Sequence, residues 1–212
     1  MSKANILGLT GRVPRPLLNF EERFLLEDLG QDDFGDHYQR KKRLKAFEAA
    51  WAREQSQDPG WPRDETDRRF QGLLDEWLRF HQAMLLDELI PVALKYLRDN
   101  PGCPERRQFD HVLVDEYQDL NRAEQSLIDL LSERGSLTVF GDEDQSIYES
   151  FRYAHPEGIS GFNETHEGTW DIPLVECRRC PTRIVAIANE LIQNNMRRTG
   201  RVLTPKPGNN QG

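Results

Sequence analysis

The chain has 212 residues and a formal net charge of −8, with 30% charged and 37% hydrophobic side chains. This length suits one ordinary domain or two small ones, and it is enough to bury a core without disulfide or metal support. The acidic balance argues against a dedicated electrostatic nucleic-acid binder, and no apolar run approaches the ~20 residues of a membrane span. Three cysteines, an odd number, favour a reducing compartment, so we expect a cytoplasmic protein.

The first hundred residues have the pattern of helices. Apolar side chains recur at helical spacing around Leu44 and again around Phe70. Residues 58–62 read Asp-Pro-Gly-Trp-Pro and predict a loop between these helices, because proline and glycine do not continue a helix. A third helix is predicted over residues 84–98, where Pro91 should kink or split it.

From about residue 110 the pattern alternates between strand and helix. Short apolar strands are predicted at residues 112–114, 137–140 and 172–175. Strands that alternate with helices are typical of a parallel sheet covered on both faces. We therefore expect an α/β arrangement in this half of the chain.

Two helices of this half have recognisable starts. Asn121 with Glu124 three residues later forms a capping-box pattern. Pro181 opens the second helix at a position that tolerates proline. The first helix should bury Leu127, Leu130 and Leu131, and the second Ile184, Ile187, Ala188, Leu191 and Ile192.

Acidic side chains follow two of the predicted strands. Asp115 and Glu116 come after the first, and Asp142 and Asp144, with Gln145, come after the second. Ligands of open α/β sheets bind beyond the carboxyl ends of the strands. Adjacent carboxylates there suit Mg²⁺ chemistry, in which one acid holds the ion and another accepts a proton. The alternative is that these aspartates only cap helices and form turns.

Three motifs carry a resemblance to a known family. Residues 114–119, Val-Asp-Glu-Tyr-Gln-Asp, resemble the Walker B motif of the UvrD/Rep family of superfamily 1 DNA helicases. Residues 141–148, with Phe151-Arg152 behind them, are similar to the next helicase motif, and residues 178–192 resemble the fourth. The similarity spans roughly residues 84–195 in the order and spacing of the family.

The resemblance implies a fold and a function. Residues 84–198 would form part of a RecA-like P-loop NTPase lobe with a parallel sheet, residues 1–83 a helical insertion subdomain, and residues 199–212 a polar tail or linker. The chain would be a segment of an ATP-dependent helicase or translocase that moves 3′-to-5′ on single-stranded DNA. Its cofactors would be ATP and Mg²⁺. Its partners would be single-stranded DNA and the remainder of the helicase, namely the Walker A segment and the second lobe, with no membrane involved.

The family's roles transfer to individual residues. Asp115 and Glu116 would form the metal site, where Asp115 holds Mg²⁺ mostly through water and Glu116 deprotonates the attacking water. Gln145 would contact that water and the γ-phosphate. Arg179 would reach the γ-phosphate, because a planar guanidinium matches phosphate oxygens bidentately. The residues expected to couple this site to single-stranded DNA are Tyr148, Phe151 and Arg152.

The sequence departs from the family pattern in two places. None of its 15 glycines is followed by lysine, so the phosphate-binding Gly-Lys-Thr/Ser loop is missing from these residues. The expectation is a truncated product, a fragment or a start assigned too late, and a non-catalytic DNA- or protein-binding product is an alternative function. Two residues, Glu149 and Ser150, also separate Tyr148 from Phe151 where the family usually has one, so core packing is an alternative role for Phe151.

Other features leave alternatives open. A Mg²⁺-dependent nuclease could use Asp115, Glu116, Asp142 and Asp144, although it would give Gln145 and Arg179 no role. Cys177 and Cys180 have CxxC spacing, but no second ligand pair accompanies them, which argues against a zinc site. The basic run of residues 40–45 is either a grip on the DNA backbone or a solvated helix face.

Overall fold

A computed structural model describes residues 3–55, 62–148, 152–195 and 200–208 of the chain. Most of the loop predicted at residues 58–62 lies outside the described residues, and so does Phe151. No helix in the described ranges is both long and apolar enough to span a bilayer.

Helices make up the N-terminal half. They are α1 (Lys3–Thr10), α2 (Asn19–Asp28), α3 (Gln31–Phe34), α4 (His37–Ala52), α5 (Glu65–Phe80) and α6 (Leu89–Asp99). The helices predicted around Leu44 and Phe70 are confirmed as α4 and α5. Each begins at an aspartate whose side chain accepts a backbone N–H three residues later, which is the usual N-cap arrangement.

The helix predicted over residues 84–98 is wrong at its start. Residues 86–88 form a 3₁₀ turn, and α6 begins only at Leu89. Pro91 therefore lies in the first turn of α6, where its missing N–H has no intrahelical partner to lose. The helix is continuous through this position, so the predicted split does not occur.

An apolar core holds α2 to α5 together. Phe70 is at its centre, with its ring edge-on to Phe34 at 5.2 Å and stacked on Phe47 at 5.6 Å between centroids. Trp51 and Trp77 pack against this cluster and remain partly exposed. The fully or nearly fully buried members are Leu25, Leu26, Leu29, Phe34, Leu44, Phe47, Ala50, Phe70, Leu74, Leu78, Ala83 and Leu85.

A buried ion pair links the segment after α1 to the start of α6. The Arg12 guanidinium donates to both carboxylate oxygens of Glu88 and, at 3.1 Å, to the carbonyl of Ala83. Arg12 is 5% exposed and Glu88 7%. Oε2 of Glu88 also accepts the N–H of Leu85 at 3.1 Å, so the ion pair fixes the chain where it turns into α6.

The basic run on α4 is largely paired with acids or carbonyls. Arg40 is buried and donates to the carbonyl of Gly35 at 2.8 Å. Arg43 pairs with the buried Asp67, and Lys45 pairs with Glu48. These contacts give the run a structural role within the helical half.

Strands and helices alternate in the C-terminal half, as predicted. The elements are β1 (His111–Val114), α7 (Arg122–Ser132), β2 (Ser136–Val139), α8 (Glu157–Ser160), α9 (Phe162–Thr165), β3 (Glu176–Cys177), α10 (Thr182–Ile192) and β4 (Thr204–Pro205). β1 pairs in parallel with β2, from His111 opposite Ser136 to Val114 opposite Val139. The capping box at the start of α7 is confirmed, since Asn121 and Glu124 exchange backbone-to-side-chain hydrogen bonds of 2.9 and 3.0 Å.

The prediction of a sheet covered on both faces is wrong for the described residues. Helix α7 contacts β1 and β2 on the face of the less exposed residues Val112 and Val114. On the other face Leu113 is 73% exposed and Phe140 46%. The leucines predicted as the stripe of α7 are only half-buried, because this small sheet covers just part of the helix.

Two further sequence predictions in this half are wrong. Residues 172–175 form no strand, and Pro173 has no N–H to offer a ladder; the short β3 follows at residues 176–177 and pairs in parallel with β4. On α10 the buried residue is Val185, whereas Ile184, Ile187, Ala188 and Leu191 are exposed and Ile192 is half-buried. Part of the stretch predicted as a polar tail or linker thus forms β4, whose neighbour Leu203 is hydrogen-bonded to Asn189.

Candidate functional site

The site lies where β1 and β2 end. Parallel pairing brings the two carboxyl ends to the same edge, so the turn after Val114 lies beside the turn after Phe140. The N–H of Phe140 donates to the carbonyl of Val114 at 2.8 Å, and the N–H of Tyr117 donates to the carbonyl of Phe140 at 2.9 Å. The pairing thus continues past both strands and places the two acidic turns next to each other.

Asp115 and Glu116 form the first acidic turn, and both side chains are exposed. Glu116 has φ 53° and ψ 43°, a left-handed backbone conformation that is uncommon for a residue with a side chain. Its N–H donates to Oδ1 of Asp115 at 3.0 Å. Such strained residues cluster at functional sites, so this conformation supports a functional role for the turn.

Gln118 joins the two turns through its side chain. It is 1% exposed, and its amide nitrogen donates to Oε2 of Glu116 at 2.8 Å. Its amide oxygen accepts the N–H of Asp142 at 2.9 Å. A Cβ at Gly141 would lie 2.6 Å from that same oxygen, so only glycine leaves room for the bridge. Sequence reasoning missed this residue, although a glutamine inside the acidic motif was its visible signal.

We expect Gln118→Ala to lower the free energy of unfolding by ~1–3 kcal/mol, because it removes a buried side chain and leaves the partly buried N–H of Asp142 without its acceptor. Gln145→Ala is the matched control, since its exposed amide makes a single side-chain bond, and it should change the free energy of unfolding by less than ~0.5 kcal/mol. Urea denaturation followed by circular dichroism measures both. Equal losses in the two variants would contradict the structural bridge.

The second acidic turn is organised around Asp142. One of its carboxylate oxygens accepts the N–H of Asp144 at 3.1 Å, and the other accepts the side-chain amide of Gln145 at 2.7 Å. Asp144 in turn accepts the side-chain amide of Asn195, just beyond α10, at 2.8 Å. Gln145 is therefore held by Asp142 and presents an exposed side chain beside the first turn.

Aromatic packing supports the first turn from behind. Tyr117 is buried, its ring is edge-on to Phe162 at 5.6 Å, and burial, with a smaller contribution from Asp129, raises the pKa of its hydroxyl. Phe162 stacks on His166 at 3.9 Å between ring centroids. His166 contacts Asp129 of α7 at 3.2 Å, so α9 and α7 together hold the ring of Tyr117 in place.

The donor set fits a hard divalent cation. Mg²⁺ prefers oxygen ligands and is usually bound through one or two carboxylates plus waters. Asp115 and Glu116 offer exposed carboxylates, and nearby Asp119 and Glu143 each have one buried carboxylate oxygen without a hydrogen-bond partner. Within the described ranges, however, no three His, Cys, Asp or Glu side chains form a group that could enclose a metal, so the four acids of the nuclease hypothesis are not gathered.

The remaining predicted residues lie around this edge. Arg179 is exposed in the turn between β3 and α10, and across the described residues no hydrogen bond or ion pair joins its side chain to Asp115, Glu116 or Gln145. Tyr148 is 39% exposed, and its carbonyl accepts the N–H of Arg152 at 2.9 Å. Arg152 approaches Glu124 of α7 at 4.0 Å.

Comparison with known proteins identifies relatives of this chain. The family described as UvrD/REP helicase N-terminal domain matches residues 22–167. ATP-dependent DNA helicase PcrA of Bacillus subtilis is 39% identical over 121 residues, which are 56% of this chain and 16% of the relative. ATP-dependent DNA helicase Rep of Escherichia coli is 37% identical over 137 residues, or 62% and 20%. ATP-dependent DNA helicase UvrD1 of Mycobacterium tuberculosis is 34% identical over 205 residues, or 87% and 26%. The chain thus spans between 16% and 26% of the length of these three relatives.

Proposed function

Because the chain belongs to the UvrD/REP helicase N-terminal domain family, we propose that it is a segment of an ATP-dependent DNA helicase or translocase. The segment would contribute the Walker B turn of a RecA-like lobe, preceded by a helical insertion over residues 1–83. Its partners would be single-stranded DNA, on which it moves 3′-to-5′, and the rest of the helicase. It would work in the cytoplasm.

The observation that carries the proposal is the bridge through Gln118. It joins the carboxylate of Glu116 to the backbone of Asp142, at the adjacent ends of two parallel strands. Phosphoryl transfer depends mainly on positioning and on stabilising charge. A buried amide that fixes one carboxylate relative to the neighbouring turn supplies such positioning.

The proposed roles in ATP hydrolysis are assigned to individual residues. Glu116 accepts a proton from the water that attacks the γ-phosphorus, and the bond from that phosphorus to the bridging oxygen of ADP breaks. Gln118 orients the carboxylate of Glu116. Gln145 contacts the attacking water and the γ-phosphate, and Arg179 balances the charge of the γ-phosphate oxygens.

Asp115, with Glu116 beside it, would hold Mg²⁺, which supplies charge neutralisation at the phosphate oxygens. Two exposed carboxylates in adjacent positions match that need. Tyr148, Phe151 and Arg152 would pass the nucleotide state to DNA, with the Tyr148 ring available for base stacking worth ~1–3 kcal/mol per base.

A chimera tests the proposal directly. The stretch of Mycobacterium tuberculosis UvrD1 that matches this chain is replaced by the aligned part of this chain, and ATP hydrolysis is measured with and without single-stranded DNA. DNA-stimulated hydrolysis supports the proposal. A folded chimera that binds ATP and DNA without hydrolysing ATP would favour the non-catalytic alternative, and DNA cleavage with Mg²⁺ alone would favour the nuclease.

Residues 1–212 by themselves should show no DNA-stimulated ATP hydrolysis, because they contain no Gly-Lys pair to hold the phosphates. They should also self-associate. Leu113 of β1 is exposed, and the outer edges of β1 and β2 pair with no other described strand. Exposed apolar strand edges recruit other chains. Phosphate release and light scattering measure the two effects.

A matched pair of variants separates this surface from other apolar residues. Leu113→Lys should reduce the associated fraction, whereas Leu86→Lys, at a similarly exposed leucine beside α6, should leave it unchanged. A stable monomer that hydrolyses ATP in response to DNA would contradict both parts of the prediction.

A further inference from the structure

The turn between β3 and α10 contains two cysteines that the proposed helicase function leaves without a role. Cys177 is the last residue of β3, and Cys180 precedes the N-cap residue of α10, Pro181. Both are in the thiol form, without a disulfide, and are partly exposed, whereas the third cysteine, Cys103, is buried. The sequence between them is Arg178-Arg179, so the only two residues inside the CxxC turn are cations.

The backbone is arranged to stabilise a thiolate at Cys177. The N–H groups of Cys180 and Arg179 donate to its sulfur, and the Cys180 side chain also hydrogen-bonds to it. These contacts, together with the charge of Arg179, lower the pKa of the Cys177 thiol below its ordinary value.

The scaffold holds this arrangement in place. The carbonyl of Cys177 accepts the N–H of Lys206 at 3.0 Å, in the parallel pairing of β3 with β4. On the other side of the turn, the carbonyl of Pro181 accepts the N–H groups of Ile184 and Val185 at 3.0 and 3.2 Å. The turn that carries both cysteines is therefore anchored by backbone hydrogen bonds at both ends.

We propose that Cys177 and Cys180 form a redox-active dithiol, which closes to an intramolecular disulfide by exchange with a low-molecular-weight disulfide. The Cys177 thiolate attacks one sulfur of that disulfide and releases one thiolate, leaving a mixed disulfide on Cys177. Cys180 then loses its proton to solvent and attacks the Cys177 sulfur, which releases the second thiolate. The protein loses two electrons and two protons, and the small disulfide is reduced to two thiols.

The closed form ties Arg178 and Arg179 into a small ring. Arg178 is held to Glu176 at 2.9 Å in the dithiol form, and Arg179 is exposed. A disulfide across the turn restricts the backbone that carries both guanidinium groups. The oxidation of the two thiols does not depend on the proposed helicase function. Only an effect of the disulfide on ATP hydrolysis would depend on the proposed role of Arg179.

Metal binding is the other use of a CxxC pair, and it requires further ligands. In the described part of the chain no third His, Cys, Asp or Glu joins Cys177 and Cys180 in a metal-sized group. The contacts between the two thiols and the backbone favour thiol exchange.

The test equilibrates the 212-residue chain with glutathione buffers of increasing oxidised fraction, traps free thiols with a maleimide and records the intact mass. The unmodified 212-residue chain and Cys103→Ser, the matched control, should lose two hydrogens and two reactive thiols together. Cys180→Ser should stop at a mixed disulfide on Cys177. Cys177→Ser should react several-fold more slowly, because the substitution removes the thiol whose pKa is lowered.

Three outcomes would overturn the proposal. One is that both thiols stay separately reactive across all buffers, without an internal disulfide. Another is that the mixed disulfide forms first on Cys180. The third is that the purified chain carries one equivalent of zinc and its thiols react only after chelation. Circular dichroism of each variant confirms that the fold is retained, so a change in reactivity reports on the dithiol itself.

Discussion

Glu116→Gln in the UvrD1 chimera should slow ATP hydrolysis by on the order of 10²–10⁴, the usual scale for losing a general base. Binding of Mg²⁺ and ATP should stay nearly unchanged, because Asp115 keeps its charge. The glutamine has the size of glutamate, and its amide oxygen can still accept the hydrogen bond from Gln118. The loss should therefore be in the chemical step, and single-turnover phosphate release with a nucleotide-binding assay measures it.

The matched control for that variant is Glu164→Gln, which makes the same change at an exposed acid on α9. It should leave the rate within a few-fold of the unmodified chimera. If hydrolysis by the Glu116→Gln chimera also survives within a few-fold, Glu116 is not the base. The Walker B assignment of this turn would then fail.

Arg12→Ala should lower the free energy of unfolding by about 3–5 kcal/mol, the range for removing one partner of a buried ion pair. Among the described residues, the substitution leaves the buried Glu88 carboxylate with the N–H of Leu85 as its remaining donor, and it also removes a donor from the carbonyl of Ala83. Because this contact fixes the entry into α6, the loss should appear as a lower urea midpoint for the helical half of the chain.

Arg23→Ala is the control, since Arg23 forms an exposed pair with Glu27 at 2.8 Å on the same helical half. Exposed pairs of this kind contribute ~0.2–1 kcal/mol, so the control should unfold almost like the unmodified chain. If both substitutions lowered the free energy of unfolding by a similar amount, burial of the Arg12–Glu88 pair would not explain the loss in Arg12→Ala.

Local signals predicted local structure well. The box of Asn121 and Glu124 needs only two residues three apart, and it forms as expected. The first two strands are also close to their predicted positions, because short apolar runs bounded by turns define them: the first begins one residue earlier and the second is shifted by one residue. The position of the two acidic turns could also be predicted, because the carboxyl ends of parallel strands lie at the same edge of a sheet.

Features that depend on distant partners were not predictable. Periodicity showed an apolar face on α10, yet it does not say what covers that face, and most of its residues are exposed. Gln118 and Asp142 are 24 positions apart, and their bond depends on the register of β1 with β2. The roles given to Gln145 and Arg179 came from the family resemblance and stay predictions.

The left-handed backbone at Glu116 lowers the stability of the fold at a position whose side chain has a proposed catalytic role. Glycine adopts this conformation without steric cost and asparagine tolerates it better than glutamate does. Selection for a sturdier fold alone would therefore replace Glu116, and the replacement would remove the proposed base. In the proposed mechanism, the conformational cost of Glu116 at φ 53° is offset by the catalytic use of its carboxylate.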